Sequence, residues 1–191
     1  MKNNFNLKSH LKIISNFLED DDLIEIAEKI KKEIEKIKKK EGIIYFFGNG
    51  GSQSTASHAS LDFNKNAKIS SKHFNDPTMI TCFSNDYGYE KVLKKIVDFY
   101  ITKKDCVILI SVSGNSKNLV NAAKICKDKK IKLITFTGNS KKNKLISVNR
   151  DGVNFFVNHK GYNIVESVHS TYILSLVDYF IGRSVYKTKK T

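Results

Sequence analysis

Four side chains in two short stretches have the chemistry to hold a metal ion or to move a proton. His58 and Asp62 lie four residues apart and Glu166 and His169 three apart, so each pair would share one face of a helix. Two imidazoles and two carboxylates could hold a divalent ion such as zinc if the two helix starts converge. The same spacings also suit ordinary helix-surface residues, and an i,i+4 His/Asp pair is a weak signal alone. Two turns carry more information. Ile43–Phe47 is a short apolar run that leads into Gly48, Asn49, Gly50, Gly51 and Ser52, with Ser52 as a plausible N-cap. Val107–Ile110 repeats the device and leads into Ser111-Val112-Ser113-Gly114-Asn115-Ser116. The hydroxyls of Ser111, Ser113 and Ser116, together with N–H groups at a helix start, form a cradle for a phosphate monoester. No Lys-Ser/Thr follows a GxxxxG, so a nucleotide P-loop is not supported. Either turn alone would be a mere connection; the pair points to a ligand site. Asn85 and Asp86, in the turn-like stretch Asn85–Tyr89, suit sugar hydroxyls.

The elements that must position these residues alternate. Helices are expected over Phe5–Phe17 and Leu23–Lys40, the second with an apolar stripe through Ile26, Ile30, Ile34 and Ile37. Strands are then expected at Ile43–Phe47, Met79–Phe83, Val107–Ile110, Lys132–Thr137 and Val153–Val157. Between and after them, helices are expected from Ser52, over Glu90–Ile101 and Lys117–Lys127, near Lys141–Val148, and over Ile164–Ile181. Such alternation implies an α/β fold with a parallel sheet covered on both faces, and ligands gather at the carboxyl ends of its strands. The length suits one domain, residues 1–191, with a helical extension over about residues 1–41 packed on it or on a neighbouring subunit.

The formal net charge of +14 invites a nucleic-acid reading. The excess is mostly lysine, spread over helix faces and the run Lys187–Lys190, and no aromatics interleave with arginine as a stacking platform would require. Nucleic acid is therefore a distant third reading, and the charge suits attraction of anionic sugar phosphates. No segment is apolar enough to cross a bilayer and no signal-peptide pattern opens the chain, so a cytoplasmic location is the expectation. Cys82, Cys106 and Cys126 lack CxxC spacing and are expected to be reduced and structural.

FGNGGSQSTASH (Phe47–His58), FSNDYGY (Phe83–Tyr89), ISVSGNSKNLVNAAK (Ile110–Lys124), TFTGNS (Thr135–Ser140) and YNIVESVH (Tyr162–His169) resemble, in order and spacing, the sugar isomerase (SIS) domain of the phosphoheptose isomerases. The resemblance implies a three-layer α/β/α fold with a five-stranded parallel sheet and a homotetramer with sites at subunit interfaces. It further implies a zinc ion and conversion of sedoheptulose 7-phosphate to D-glycero-D-manno-heptose 7-phosphate for capsule or lipopolysaccharide heptose. It assigns Ser111, Ser113 and Ser116 to phosphate, and Asn49, Gly50, Ser52, Asn85, Asp86, Asn115 and Glu166 to substrate. His58, Asp62, Glu166 and His169 become metal ligands, and Asp62 the base where the family carries Glu. Leu174 stands where a second catalytic histidine is expected, leaving metal-bound water, Tyr162, His159 or His169 as the second proton-transfer group. That loss motivates a contrasting reading: a SIS-fold phosphosugar sensor, or a protein-interaction tetramer of the replication-initiator-associating type, without isomerase chemistry.

Overall fold

A computed structural model describes residues 6–184, so Phe5 and the lysine run 187–190 lie outside the described residues. The chain runs α1 (Leu7–Leu18), α2 (Asp21–Lys39), β1 (Ile44–Phe47), α3 (Gly51–Lys65), β2 (Ser71–His73) and α4 (Pro77–Tyr87). After a 3-10 turn at Tyr89–Lys91 come α5 (Val92–Tyr100), β3 (Cys106–Ser111), α6 (Lys117–Asp128), β4 (Lys132–Gly138), α7 (Lys144–Val148), β5 (Val153–Val157) and α8 (Tyr162–Ile181). The sheet is five-stranded in the order β2-β1-β3-β4-β5, and every described pairing is parallel.

Alternation along the central strands builds the three layers. Ile44 and Phe46 of β1, with Cys106, Ile108 and Ile110 of β3, join the core shared with α2, α3 and α8. Tyr45 and Phe47, with Val107 and Leu109, face the opposite core under α5 and α6. The expectation for α2 holds closely. Asp20 caps it by accepting from the Leu23 N–H at 3.1 Å, acids open it and lysines close it, and Ile30, Ile34 and Ile37 are buried. α1 has no buried residue; it meets α8 through the Tyr172 hydroxyl, which donates to the carbonyls of Phe17 and Leu18. Cys106 and Cys126 are buried free thiols whose pKa burial raises, the latter to about 12, and Cys82 is exposed.

One expected strand is a helix. Met79–Phe83 lies inside α4, where Asp76 accepts from the Met79 N–H at 2.8 Å and Pro77 occupies the first turn. The Asp-Pro start outweighs the apolar run, because Pro is pre-set for a first helical turn and cannot donate to a ladder. The missing strand is β2, three residues long and polar, hence invisible to a hydrophobic pattern. Asn64 holds it by accepting from the Ser71 N–H at 3.0 Å. Ser52 is likewise not an N-cap. Gly50 takes that place at φ 53°, ψ −126°, a backbone state open to glycine, so α3 begins one residue earlier and Ser52 is buried inside it.

Because Ile34 is fully buried between α2 and the sheet, Ile34→Ala should cost about 2–5 kcal/mol in urea unfolding. A near-zero cost would mean that the leading helices are not part of this core.

Candidate functional site

The strand order reverses direction between β1 and β3, the place in a doubly wound sheet where two successive crossovers leave to opposite faces and open a crevice. Both glycine–serine turns rise there. In the first, a Cβ on Gly48 would lie 2.5 Å from the Ser52 carbonyl carbon, so only glycine lets β1 turn directly into α3. Gln53 fixes this turn from within the helix, its Oε1 accepting from the Gly48 N–H at 3.1 Å. In the second turn Gly114 sits at φ 62° and its N–H donates to the Ser111 hydroxyl at 3.1 Å. Asn115 spends its side chain on bracing: Nδ2 donates to the Ser113 carbonyl at 3.0 Å, and Oδ1 accepts from the Lys144 N–H at 3.1 Å.

Between the turns is an open recess of about 110 Å³ bordered by Asn49, Ser52, Ser111, Ser113, Ser116 and Glu166. Tyr162, more than half exposed, stands at its edge. The helices contribute unequally. The start of α6 offers its N–H groups with no side-chain cap, a fit for a dianion. The start of α3 has a carboxylate beside it: Glu166 lies so close to Gly51 that a Cβ there would be 2.6 Å from Oε2. Hydroxyls and an open helix end at one side, a carboxylate at the other, suit an anionic ligand carrying an acidic C–H.

A model of the SIS domain matches residues 8–138. Over 138 residues, 70% of this chain and 71% of the relative, the chain is 33% identical to the phosphoheptose isomerase of Buchnera aphidicola from Schizaphis graminum. Over 171 residues, 86% and 88% of the two chains, it is 32% identical to that of Cytophaga hutchinsonii. The chain belongs to the SIS-domain phosphoheptose isomerase family. Its fold matches the phosphoheptose isomerase structures from Neisseria gonorrhoeae (TM-score 0.83, 22% identity, 92% and 94% of the chains) and Francisella tularensis (0.84, 21%, the same coverage). The family is one of phosphosugar isomerases, and the five-stranded parallel SIS fold expected from the motifs is the one found.

Of the substrate positions that the resemblance assigned, Asn49, Ser52, Ser111, Ser113, Ser116 and Glu166 meet at the recess, and Gly50 lines an adjoining one. Asn115 faces away, as described. Asn85 and Asp86 sit exposed in the last turn of α4 and bond to each other at 3.1 Å, outside both recesses. The same motif instead contributes Tyr89, whose hydroxyl reaches the Asn49 side chain at 3.1 Å. Asn118, also absent from the sequence reading, is a buried polar residue in the first turn of α6. A carboxamide among the apolar positions of an amphipathic helix was the available signal.

The expected zinc donors do not converge within one chain. His58 Nε2 contacts Asp62 Oδ2 at 3.3 Å, and Asp62 Oδ1 accepts from Asn66 at 3.1 Å, all on one face of α3. Glu166 belongs to the recess. His169 is fully buried with its ring edge-on to Phe136 and Phe155, and its Nε2 is 3.1 Å from the Thr137 carbonyl. A carbonyl only accepts, so Nε2 carries the proton, and among the described residues Nδ1 has no partner in the apolar core. Among the described residues no group of three His, Cys, Asp or Glu could hold a metal ion. The described residues of a single chain therefore do not by themselves fit a resident zinc ion. His169 is also too enclosed to exchange protons with a ligand, which removes it from both roles expected of it.

Burial pushes the His169 pKa down to about 4 from an ordinary 6.5. The folded state then resists a proton that the unfolded state accepts. Stability from this group is complete above about pH 6.5 and declines as pH falls toward 4, by on the order of 3 kcal/mol at most. Urea unfolding across that window should show the loss for wild type and a reduced slope for His169→Gln; equal slopes would place His169 elsewhere than in the core.

Proposed function

We propose that this protein interconverts a ketose phosphate and an aldose phosphate, with sedoheptulose 7-phosphate and D-glycero-D-manno-heptose 7-phosphate as the pair, serving capsule or lipopolysaccharide heptose synthesis. The observation that carries the reading is the meeting of the Ser111–Ser116 turn with Glu166 in one recess at the sheet's switch point. The phosphate is held by the three hydroxyls and the start of α6. The reacting carbons lie toward α3, away from the phosphate charge.

The isomerisation moves one proton between carbons and one between oxygens. A carboxylate takes the proton from C1 and returns it to C2, while the O1 proton passes to O2 through a hydroxyl or water, with no net oxidation. Asp62, the base implied by the resemblance, has both oxygens engaged by His58 and Asn66. Glu166 is the carboxylate that borders the recess, beside the start of α3. We therefore assign the base to Glu166 and the oxygen-to-oxygen relay to the Tyr162 hydroxyl. Leu174, further along α8, cannot transfer a proton.

Assembly as a homotetramer belongs to the same proposal. The single chain leaves Leu7 and Leu11 of α1 and Leu61 of α3 exposed, and Leu61 stands beside Asp62. Packing there would cover the His58–Asp62 face, and light scattering after gel filtration reads the subunit number.

Turnover of sedoheptulose 7-phosphate, followed by NMR of the aldose product with and without added zinc, tests the activity. Glu166→Gln keeps shape and removes the base, so kcat should fall at least about 100-fold, while Asp62→Asn changes it far less. Ser113→Ala should raise KM about tenfold or more with little effect on kcat, through loss of one charge-assisted hydrogen bond. Absence of wild-type turnover in both conditions would sink the isomerase reading, and full activity of Glu166→Gln would return the base to Asp62.

A further inference from the structure

The recess shares a wall with a second cavity of about 120 Å³, lined among others by Gly48, Gln53, Phe74 and Leu93. Asn49 is that wall and borders both. Its carboxamide is held on three sides. Oδ1 accepts from Asn118 Nδ2 at 2.9 Å and from the Tyr89 hydroxyl at 3.1 Å, while Nδ2 donates to Asn118 Oδ1 at 3.1 Å. The three residues come from the turn after β1, the start of α6 and the 3-10 turn before α5, so the amide joins segments far apart in the chain.

The inventory of the amide decides what it can offer. A carboxamide oxygen has two lone pairs, and both are taken; its nitrogen has two hydrogens, of which Asn118 uses one. What Asn49 has left for the recess is a single N–H. Asn118 is 4% exposed, so its amide was withdrawn from water to make this pair, and the reciprocal bonds satisfy what burial would otherwise leave unmade.

Building on the phosphosugar reading above, we propose that Asn118 and Tyr89 are positioning residues that make Asn49 a fixed hydrogen-bond donor toward the ligand. The amide meets an anionic, carbonyl or hydroxyl oxygen acting as acceptor and offers no lone pair to a donor. Tyr89, a residue 56% exposed, acts from the solvent side, and Asn118 from the buried side. Neither touches the ligand. Their effect passes through Asn49 alone.

The experiment is a set of mutant cycles read by calorimetric binding of sedoheptulose 7-phosphate to the full chain. Tyr89→Phe and Asn118→Ala should each weaken binding about two- to tenfold, the range for a lost hydrogen bond. Tyr89→Phe removes one exposed hydroxyl and should leave Tm unchanged, so it decides the matter if Asn118→Ala folds poorly. In an Asn49→Ala background neither substitution should weaken binding by more than about twofold further, because the residue through which they act is gone. Wild-type affinity in Tyr89→Phe and Asn118→Ala would overturn the proposal. So would an undiminished effect of either in the Asn49→Ala background. Failure of the wild-type protein to bind the sugar phosphate is a different result: it overturns the phosphosugar reading and this proposal with it.

Discussion

The parallel pairing of β1 with β3 is the constraint on which the site depends. Ile44 lies opposite Cys106 and the register runs without a break to Phe47 and Leu109, so the two turns emerge side by side. A slip of β1 by one residue would send Phe46 to the wrong core and carry the glycines away from the serines. The register is held at its lower end by Asp105. Its Oδ1 accepts from the Ile43 N–H at 2.9 Å, and its Oδ2 accepts from the N–H and hydroxyl of Thr102 at 2.8 and 2.7 Å. One carboxylate, 2% exposed, thus ties the entry of β1 to the entry of β3. At the upper end the Asn49–Asn118 pair ties their exits.

Most of the fold was legible because its signals are local and repeated. β5 ends where its apolar run ends, and β1, β3 and β4 differ from expectation by a residue at one or both ends. β2 and α4 were misread for opposite reasons. β2 is chosen by hydrogen bonds that Ser71 donates to the Asn64 side chain and the Ser60 carbonyl, which no pattern in Ser71–His73 reveals. α4 hides its start in a two-residue cap signal that precedes a strand-like composition. The meeting of the two turns at one recess was readable because two copies of one device recur in the sequence, each after a strand. The fate of His169 was not readable. Spacing put it on the same face as Glu166, but one turn of helix is enough to pass from the recess into the core.

Charge is distributed along the same axis. α8 carries Glu166 at the recess, then Val168, His169 and Tyr172 among the core residues, and reaches α1 through the Tyr172 hydroxyl. The lysines that give the chain its positive charge lie mainly on outer faces, several paired within their own helix, as with Lys29–Glu25 and Lys36–Glu33. Such exposed pairs add little stability. They leave the recess itself defined by hydroxyls, helix ends and one carboxylate.

The close approach of Glu166 to Gly51 has a consequence for how the sequence can drift. The two positions are 115 residues apart yet occupy one volume, since the carboxylate fills the space that a Cβ at position 51 would need. Any side chain at 51 therefore requires the Glu166 carboxylate to swing aside or shorten, whereas 166 can change first without a clash. The order of substitutions is asymmetric. Descendants of this chain would be expected to keep glycine at 51 for as long as the side chain at 166 must hold its present place, whichever chemistry that side chain performs.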